Sequence, residues 1–121
     1  SEELIGIMRK CSASWNLNVC AQKAAVAGLA DQEYYQAQKA KIVEGREYLE
    51  KEMAALGCKV YPSQSNFIYF DTGKDPAWIQ EQLMDKGIRI GAFEMSRVSV
   101  GTMEECKLYI KALKEILEAA E

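Results

Sequence analysis

The sequence contains no histidine. This absence excludes a Ser/His/Asp triad, a Cys/His nucleophile pair and a histidine metal site within the chain. Long apolar runs are missing as well, because the stretch from Val19 to Ala30 is too short to span a bilayer and contains Gln22 and Lys23. The N-terminus shows no basic region followed by an apolar run. We therefore expect a cytosolic protein with no membrane partner.

A basic surface is also missing from the sequence. The formal net charge is -3, the pI is near 5.1, and Lys and Arg are interspersed with Asp and Glu. Nucleic acids are bound mainly through clustered basic side chains, so we expect no nucleic-acid partner. The sequence has no Gly-rich phosphate loop and no Asp/Glu cluster with calcium spacing, and no metal site is predicted.

Closely spaced cysteine pairs are absent too. The four cysteines are scattered, and each has apolar neighbours; they are Cys11, Cys20, Cys58 and Cys106. This pattern is typical of buried, reduced thiols rather than of a disulfide framework. What the sequence does contain, 49% hydrophobic and 27% charged residues in 121 positions, fits one globular domain with its own core.

The first half of the chain shows helical patterns. Three helices are predicted, from Ser1 to about Cys11, from the cap Asn18 to Ala30, and from the cap Asp31 to Gly57. The third carries an amphipathic stripe, formed by Tyr35, Gln38, Ile42, Gly45, Leu49, Met53 and Leu56. A helix of this length is suited to bridging two parts of a protein.

After Lys59 the pattern changes to short strands. Strands are predicted at Val60–Tyr61, Asn66–Asp71, Ile88–Gly91 and Arg97–Val100, with one helix from Pro76 to Gly87 and another after a Thr102/Glu105 capping box. The short segment between the last two strands favours a hairpin. The predicted class is α+β, with a small mixed or antiparallel sheet of about four short strands covered by helices. Within a single domain, residues 1–57 would form a helical interdomain segment and residues 58–121 the core.

Arg97 is the first candidate functional residue. Val98 and Val100 face one way on its predicted strand, so the guanidinium faces the other way, away from the core. An arginine fork binds a carboxylate through two parallel hydrogen bonds, which fix both position and orientation. By itself this placement leaves two alternatives open, a carboxylate site or, more commonly, a solvated surface arginine.

Two asparagines are further candidates. Asn66 stands in the polar stretch PSQSNF at the mouth of an apolar strand. It either satisfies local backbone groups, which is the commoner role, or binds a ligand. Asn18 ends the segment WNLN. It either caps a helix near a buried Trp15, again the commoner role, or contacts a ligand.

Three segments occur in the order found in one enzyme family. RVSVGTMEE, which begins at Arg97, resembles the C-terminal signature of class I/II aminotransferases, especially the histidinol-phosphate aminotransferases. PSQSNFIYF, which begins at Pro62, resembles the preceding strand motif of that family. WNLNVCAQKAA, which begins at Trp15, resembles the crossing from the large cofactor domain into the small domain. The resemblance covers essentially the whole chain and identifies it as the C-terminal small domain of such an enzyme.

The resemblance implies a fold-type I enzyme that uses pyridoxal 5'-phosphate as an electron sink. It would transfer an amino group between an L-amino acid, or histidinol phosphate, and a 2-oxo acid. The cofactor would be held by a lysine of a preceding large domain, so no catalytic or cofactor-binding residue is assigned here and the chain alone is expected to be inactive. Arg97 is implied to bind the substrate carboxylate, with Asn66 and Asn18 near the same cleft. The parent enzyme is expected to be a homodimer.

Gly91 departs from the family pattern. Members that act on histidinol phosphate usually carry an additional arginine at this position, at the end of the strand before the hairpin. Arg89 is expected on the opposite face of that strand. A general amino-acid or aromatic aminotransferase is therefore an alternative to a histidinol-phosphate enzyme.

Two further functions remain as alternatives. One is a free-standing, non-catalytic α+β module that binds an amino acid, which the missing lysine favours. The other is the small domain of a related pyridoxal-phosphate-dependent decarboxylase, which shares the fold and the cofactor.

Overall fold

The computed structural model describes residues 1–12 and 17–120. In these ranges the chain forms five helices, α1 (Glu2–Cys11), α2 (Val19–Ala30), α3 (Gln32–Ala55), α4 (Pro76–Asp85) and α5 (Met103–Ala119). The same ranges contain four strands, β1 (Lys59–Val60), β2 (Phe67–Asp71), β3 (Gly91–Ala92) and β4 (Ser96–Ser99). The expected α+β class is confirmed. The predicted burial of Trp15 falls outside the described residues.

Contacts between residues divide the chain into two compact units, Ser1–Gln36 and Ala37–Glu121. The boundary lies within α3, so this helix belongs to both units. The division into segments 1–57 and 58–121 stays a prediction. No helix in the described part of the chain is both long and apolar enough to cross a membrane.

The helices of the first unit begin where their capping residues predict. The Ser1 hydroxyl accepts a hydrogen bond from the Leu4 N–H at 3.2 Å, and Asn18 Oδ1 accepts one from the Ala21 N–H at 2.7 Å. Neither α1 nor α2 buries a side chain. The predicted burial of Cys11 and Cys20 is therefore wrong, because both thiols are exposed. Apolar neighbours along a helix cover a thiol only when another element packs on that face.

The strands of the second unit form one antiparallel sheet with the order β1-β2-β4-β3 in the described residues. The predicted hairpin is confirmed by the pairing of β3 with β4. The predicted start of β3 at Ile88 is wrong, since this strand begins at Gly91. The reason is local: the Ile88 N–H donates to the Leu83 carbonyl at 2.9 Å, so this segment closes the end of α4 instead of joining the sheet.

One face of the sheet is covered by α3, α4 and α5. Ile68 and Phe70 on β2 and Val98 on β4 point into this core. The helices contribute buried side chains that are mainly aliphatic, namely Leu49, Met53, Ile79, Leu83, Tyr109, Ile110, Leu113 and Ile116. Because side chains alternate along a strand, Arg97 lies on the other face, as predicted.

Truncation of Leu113 tests the core. Leu113 on α5 is fully buried, so we expect Leu113→Ala to lower the free energy of unfolding by about 2–5 kcal/mol through lost apolar contacts and a residual cavity. Leu108→Ala on the same helix is the matched control, because Leu108 is 62% exposed, and a change within about 0.5 kcal/mol is expected. Urea unfolding measures both, and equal losses would contradict the described packing.

Thiol alkylation tests the assignment of the cysteines. Burial raises the pKa of the Cys58 thiol to about 11, with a smaller contribution from the nearby Asp71 carboxylate, and burial also raises the pKa of Cys106. Since the thiolate is the reactive form, iodoacetamide near pH 8 is expected to modify Cys11 and Cys20 quickly. Cys58 and Cys106 should react only after denaturation. Peptide mass spectrometry measures all four sites, and equal rates in the folded chain would contradict the assignment.

Candidate functional site

Arg97 lies in the middle of the sheet, on the face that carries no core. It is half-buried on β4, and its backbone neighbours in the sheet are Tyr69 on β2 and Gly91 on β3. Paired residues of antiparallel strands point to the same face. The Arg97 side chain therefore projects from the same face of the sheet as the Tyr69 side chain, and its partner on the other side, Gly91, has no side chain.

Two phenylalanine rings flank this guanidinium. The Arg97 Cζ atom lies 5.3 Å from the centroid of the Phe67 ring and 5.2 Å from that of the Phe93 ring. Phe67 is on β2, and Phe93 directly follows β3. Because β2 and β3 lie on opposite sides of β4, the rings approach the guanidinium from opposite sides. Both distances are within the range of cation–π attraction.

The Arg97 side chain forms no ion pair with any described residue, and none of the side-chain hydrogen bonds among these residues involves it. Arg46 on α3 shows the contrast. Its guanidinium lies 3.4 Å from the Ser65 carbonyl oxygen and 3.9 Å from a Glu50 carboxylate oxygen. A half-buried guanidinium without such partners keeps its N–H groups available for an external acceptor.

Arg97 opens into a cleft of about 470 Å³. The cleft is lined by Gln80, Arg89, Ile90, Gly91, Ala92, Phe93, Arg97 and Ser99. These lining residues include two arginines and no Asp or Glu. Gln80 is already engaged, because its Nε2 donates to the Ile90 carbonyl at 2.6 Å and ties α4 to the start of β3. The charge of the cleft thus favours an anionic ligand.

The predicted orientation of Arg89 is wrong. Arg89 lines the same cleft as Gly91 and Arg97, instead of pointing to the opposite face. Residues two positions apart in an extended segment face the same way, so Arg89 and Gly91 share a side. The cleft consequently has a second arginine even though Gly91 itself carries no side chain.

The structure does not place either asparagine in this cleft. Asn66 is exposed just before β2, where its Oδ1 accepts a hydrogen bond from the Ser65 hydroxyl at 3.3 Å and its carbonyl accepts one from the Val100 N–H at 2.8 Å. Asn18 belongs to the first unit and uses its Oδ1 to cap α2. Their roles toward a ligand stay predictions, and both side chains also serve the local roles that are commoner for asparagine.

The helix that follows β4 is capped by its own side chains. Glu105 accepts a hydrogen bond from the Thr102 N–H at 2.7 Å, and its own N–H donates to Thr102 Oγ1 at 3.2 Å, which confirms the predicted capping box. The hydrogen bonds that the Glu105 carboxylate accepts from Thr102, first from its backbone N–H and then from its side chain, lower the pKa of this carboxyl group. The negative charge of Glu105 therefore occupies the N-terminus of α5, where a phosphate could otherwise bind.

Two features of the described residues do not fit a covalent site for pyridoxal phosphate. Every lysine is exposed, so no amino group is held in a desolvated cleft for a covalent bond to the cofactor. The N-termini of α2, α4 and α5 are occupied by Asn18, Asp75 and Thr102. No group of three Cys, Asp or Glu side chains in the described part of the chain is placed to hold a metal ion.

Sequence patterns missed the aromatic residues of the site. Phe67 and Phe93 contact Arg97 although they are 30 and 4 positions away in the sequence. The register of β2 against β4 decides the first contact, and no local pattern reveals it. Only for Arg89 could the sequence have revealed the correct orientation. Arg89 and Gly91 are two positions apart, a spacing that places residues on the same face of an extended segment.

Comparisons with known proteins identify the family of this chain. The sequence matches the family of class I and II aminotransferases over residues 1–113. The histidinol-phosphate aminotransferase of Moorella thermoacetica is 33% identical over 121 aligned residues, which cover 95% of this chain and 31% of that protein. The chain thus spans about a third of the length of the curated relatives it matches.

Solved structures give the same result for the fold. The histidinol-phosphate aminotransferase from Sinorhizobium meliloti, solved in complex with pyridoxal-5'-phosphate, is 31% identical with a TM-score of 0.71, and the match covers 81% of this chain and 29% of that one. A decarboxylase from Sulfurospirillum multivorans has a TM-score of 0.74 at 18% identity, over 97% of this chain and 37% of that one. At that identity the second match concerns the fold alone. Because the family match extends over nearly the entire sequence, the chain belongs to the class I and II aminotransferases.

Proposed function

We propose that this chain forms the C-terminal substrate-recognition domain of a pyridoxal-phosphate-dependent aminotransferase, in which Arg97 binds the substrate carboxylate. The observation that carries the proposal is the Arg97 guanidinium, which is half-buried in a cleft without carboxylates and pairs with no acidic side chain of the described residues. The reaction is the transfer of an amino group between an L-amino acid and a 2-oxo acid.

Carboxylate recognition by one arginine suits this reaction. The α-carboxylate of the amino acid is unchanged when the amino group leaves, so the 2-oxo acid presents the same planar group. One guanidinium can therefore orient both partners of the exchange through two parallel hydrogen bonds. The Phe67 and Phe93 rings place apolar surface next to this guanidinium, with their centroids 5.3 and 5.2 Å from its Cζ atom.

In our proposal, residues of the enzyme outside this chain bind the cofactor. Pyridoxal phosphate supplies the electron sink for the chemistry when it is bound. The residues of this chain orient the substrate and do not react with it, so no catalytic residue is assigned here. A homodimeric parent enzyme in the cytoplasm is part of the same proposal.

Histidinol phosphate is the second candidate substrate. The curated relatives are named histidinol-phosphate aminotransferases, and Arg89 places a second guanidinium in the Arg97 cleft. Two arginines in one cleft can bind a phosphate as well as a carboxylate. Assays of the full-length enzyme with histidinol phosphate and with an aromatic L-amino acid separate the two candidates, since the preferred substrate has the higher kcat/KM.

Replacement of Arg97 by lysine in the full-length enzyme tests the proposed role. Lysine keeps the positive charge but cannot reproduce the planar fork. We expect Arg97→Lys to raise the KM for the amino acid by about tenfold or more, since a hydrogen bond to a charged group contributes about 1.5–3 kcal/mol. Steady-state kinetics measures KM and kcat for both variants.

Lys114→Arg is the control for the Arg97 variant. Lys114 is an exposed residue of α5 that pairs with Glu118 at 3.7 Å, and its replacement is expected to leave the kinetics unchanged. If Arg97→Lys gives the same KM and kcat as the wild type, the carboxylate role is wrong. Identification of the product separates the decarboxylase alternative, because a decarboxylase would release an amine instead of a 2-oxo acid.

Reduction with borohydride after addition of pyridoxal phosphate tests the cofactor assignment on this chain. Because every lysine in the described residues is exposed, we expect only weak, distributed lysine adducts. Peptide mapping measures their positions, and one stoichiometric adduct on a single lysine would overturn the assignment. Stoichiometric amino-acid binding by the isolated chain in calorimetry would instead favour the free-standing module.

A further inference from the structure

The Arg97 guanidinium lies near two aromatic rings and pairs with no carboxylate of the described residues. Its Cζ atom is almost equally distant from the Phe67 and Phe93 ring centroids, at 5.3 and 5.2 Å. Aromatic contacts involve the flat face of a guanidinium, while hydrogen bonds to a carboxylate leave from its edge. The two interactions can therefore form at the same time without competing for the same N–H groups.

The surroundings of the two rings differ. The Phe67 ring meets the Tyr69 ring edge-on, with centroids 5.6 Å apart and an interplanar angle of 85°. The Phe93 N–H donates to the Met95 carbonyl at 3.1 Å, which tightens the hairpin at the base of that ring. Phe93 is nevertheless 60% exposed, so its ring does not belong to the hydrophobic core.

Gly91 makes room for the Phe93 ring. A Cβ atom at position 91 would lie 2.8 Å from Phe93 Cε2, which is closer than van der Waals contact allows, but 3.6 Å from Arg97 Nε, which is an ordinary contact. Alanine at this position would thus displace the ring and leave the arginine itself in place. The glycine is explained by this close approach.

We propose that Phe67 and Phe93 are positioning residues that hold the Arg97 guanidinium ready for a planar carboxylate, and that Gly91 is required to admit the second ring. The proposal rests on the proposed function and adds the residues that position Arg97 for carboxylate binding. A free arginine loses several rotatable bonds when it binds, and an arginine already fixed between two rings loses fewer. An acidic partner would also fix the arginine, but it would occupy the N–H groups that the substrate needs.

Kinetics of Phe93→Leu and Gly91→Ala in the full-length enzyme test the proposal. The Phe93→Leu substitution removes the aromatic ring, and the Gly91→Ala substitution displaces the Phe93 ring. Loss of one exposed cation–π contact is expected to raise the KM for the amino acid about two- to fivefold, with a smaller change in kcat. Phe93→Tyr, which keeps the aromatic face, should restore the wild-type KM. The exposure of Phe93 means that the melting temperature should change little in each variant.

We call the arrangement of Phe67 and Phe93 around the Arg97 guanidinium the clamp. Chemical modification of Arg97 by phenylglyoxal tests the clamp independently of substrate binding. The two ring centroids lie 5.3 and 5.2 Å from the Arg97 Cζ atom, so in the substrate-free enzyme we expect Arg97 to react slowly and to react several-fold faster in Phe93→Leu and Gly91→Ala. The exposed Arg89 in the same cleft is the internal reference, and its rate should not change. Peptide mass spectrometry measures both rates.

The outcomes separate the clamp from the proposed function. Faster modification together with a raised KM supports both. If Arg97 is modified faster in Phe93→Leu and Gly91→Ala while Arg97→Lys keeps the wild-type KM, the clamp is supported and the carboxylate role is contradicted. An unchanged modification rate in both ring variants overturns the clamp, and if KM still rises, Phe93 contacts the substrate directly.

Discussion

The pairing of β2 with β4 determines both the core and the site. Its register places Tyr69 opposite Arg97 and Ile68 opposite Val98. Because neighbouring residues on a strand face opposite ways, one pair enters the core and the other forms the outer surface. A shift of one residue in this register would bury the guanidinium and expose the aliphatic side chains. The burial of Ile68, Phe70 and Val98 against three helices therefore also holds Arg97 in its place.

The two faces of the sheet differ in what they bury: one buries apolar side chains, and the other partly buries the positive charge of Arg97. The covered face removes apolar side chains from water, which is the main stabilising contribution in a domain of this size. The other face keeps a positive charge half-buried, which is unfavourable unless something compensates it. The Phe67 and Phe93 rings give part of that compensation. In our proposal a bound anion gives the remainder.

The family match and the arginine cleft concern only part of a longer enzyme. This chain spans about a third of the length of its curated relatives. Its lysines are exposed, and the N-termini of α2, α4 and α5 are capped by side chains of the chain itself. In the Arg97 cleft Gly91 leaves space for an aromatic ring, and Arg89, two positions earlier, also lines the cleft.

The sequence by itself determined the helix starts at Ser1, Asn18, Asp75 and Thr102, the α+β class, and the outward orientation of Arg97, because caps and alternation act between residues close in the chain. It placed β3 too early, since the hydrogen bond from Ile88 to Leu83 was not visible in the strand-like pattern. Only the tertiary structure decided that Cys11 and Cys20 are exposed. It alone also brought Phe67 and Phe93 to opposite sides of Arg97. Those contacts depend on which strands become neighbours, and that is fixed by packing over the whole sheet.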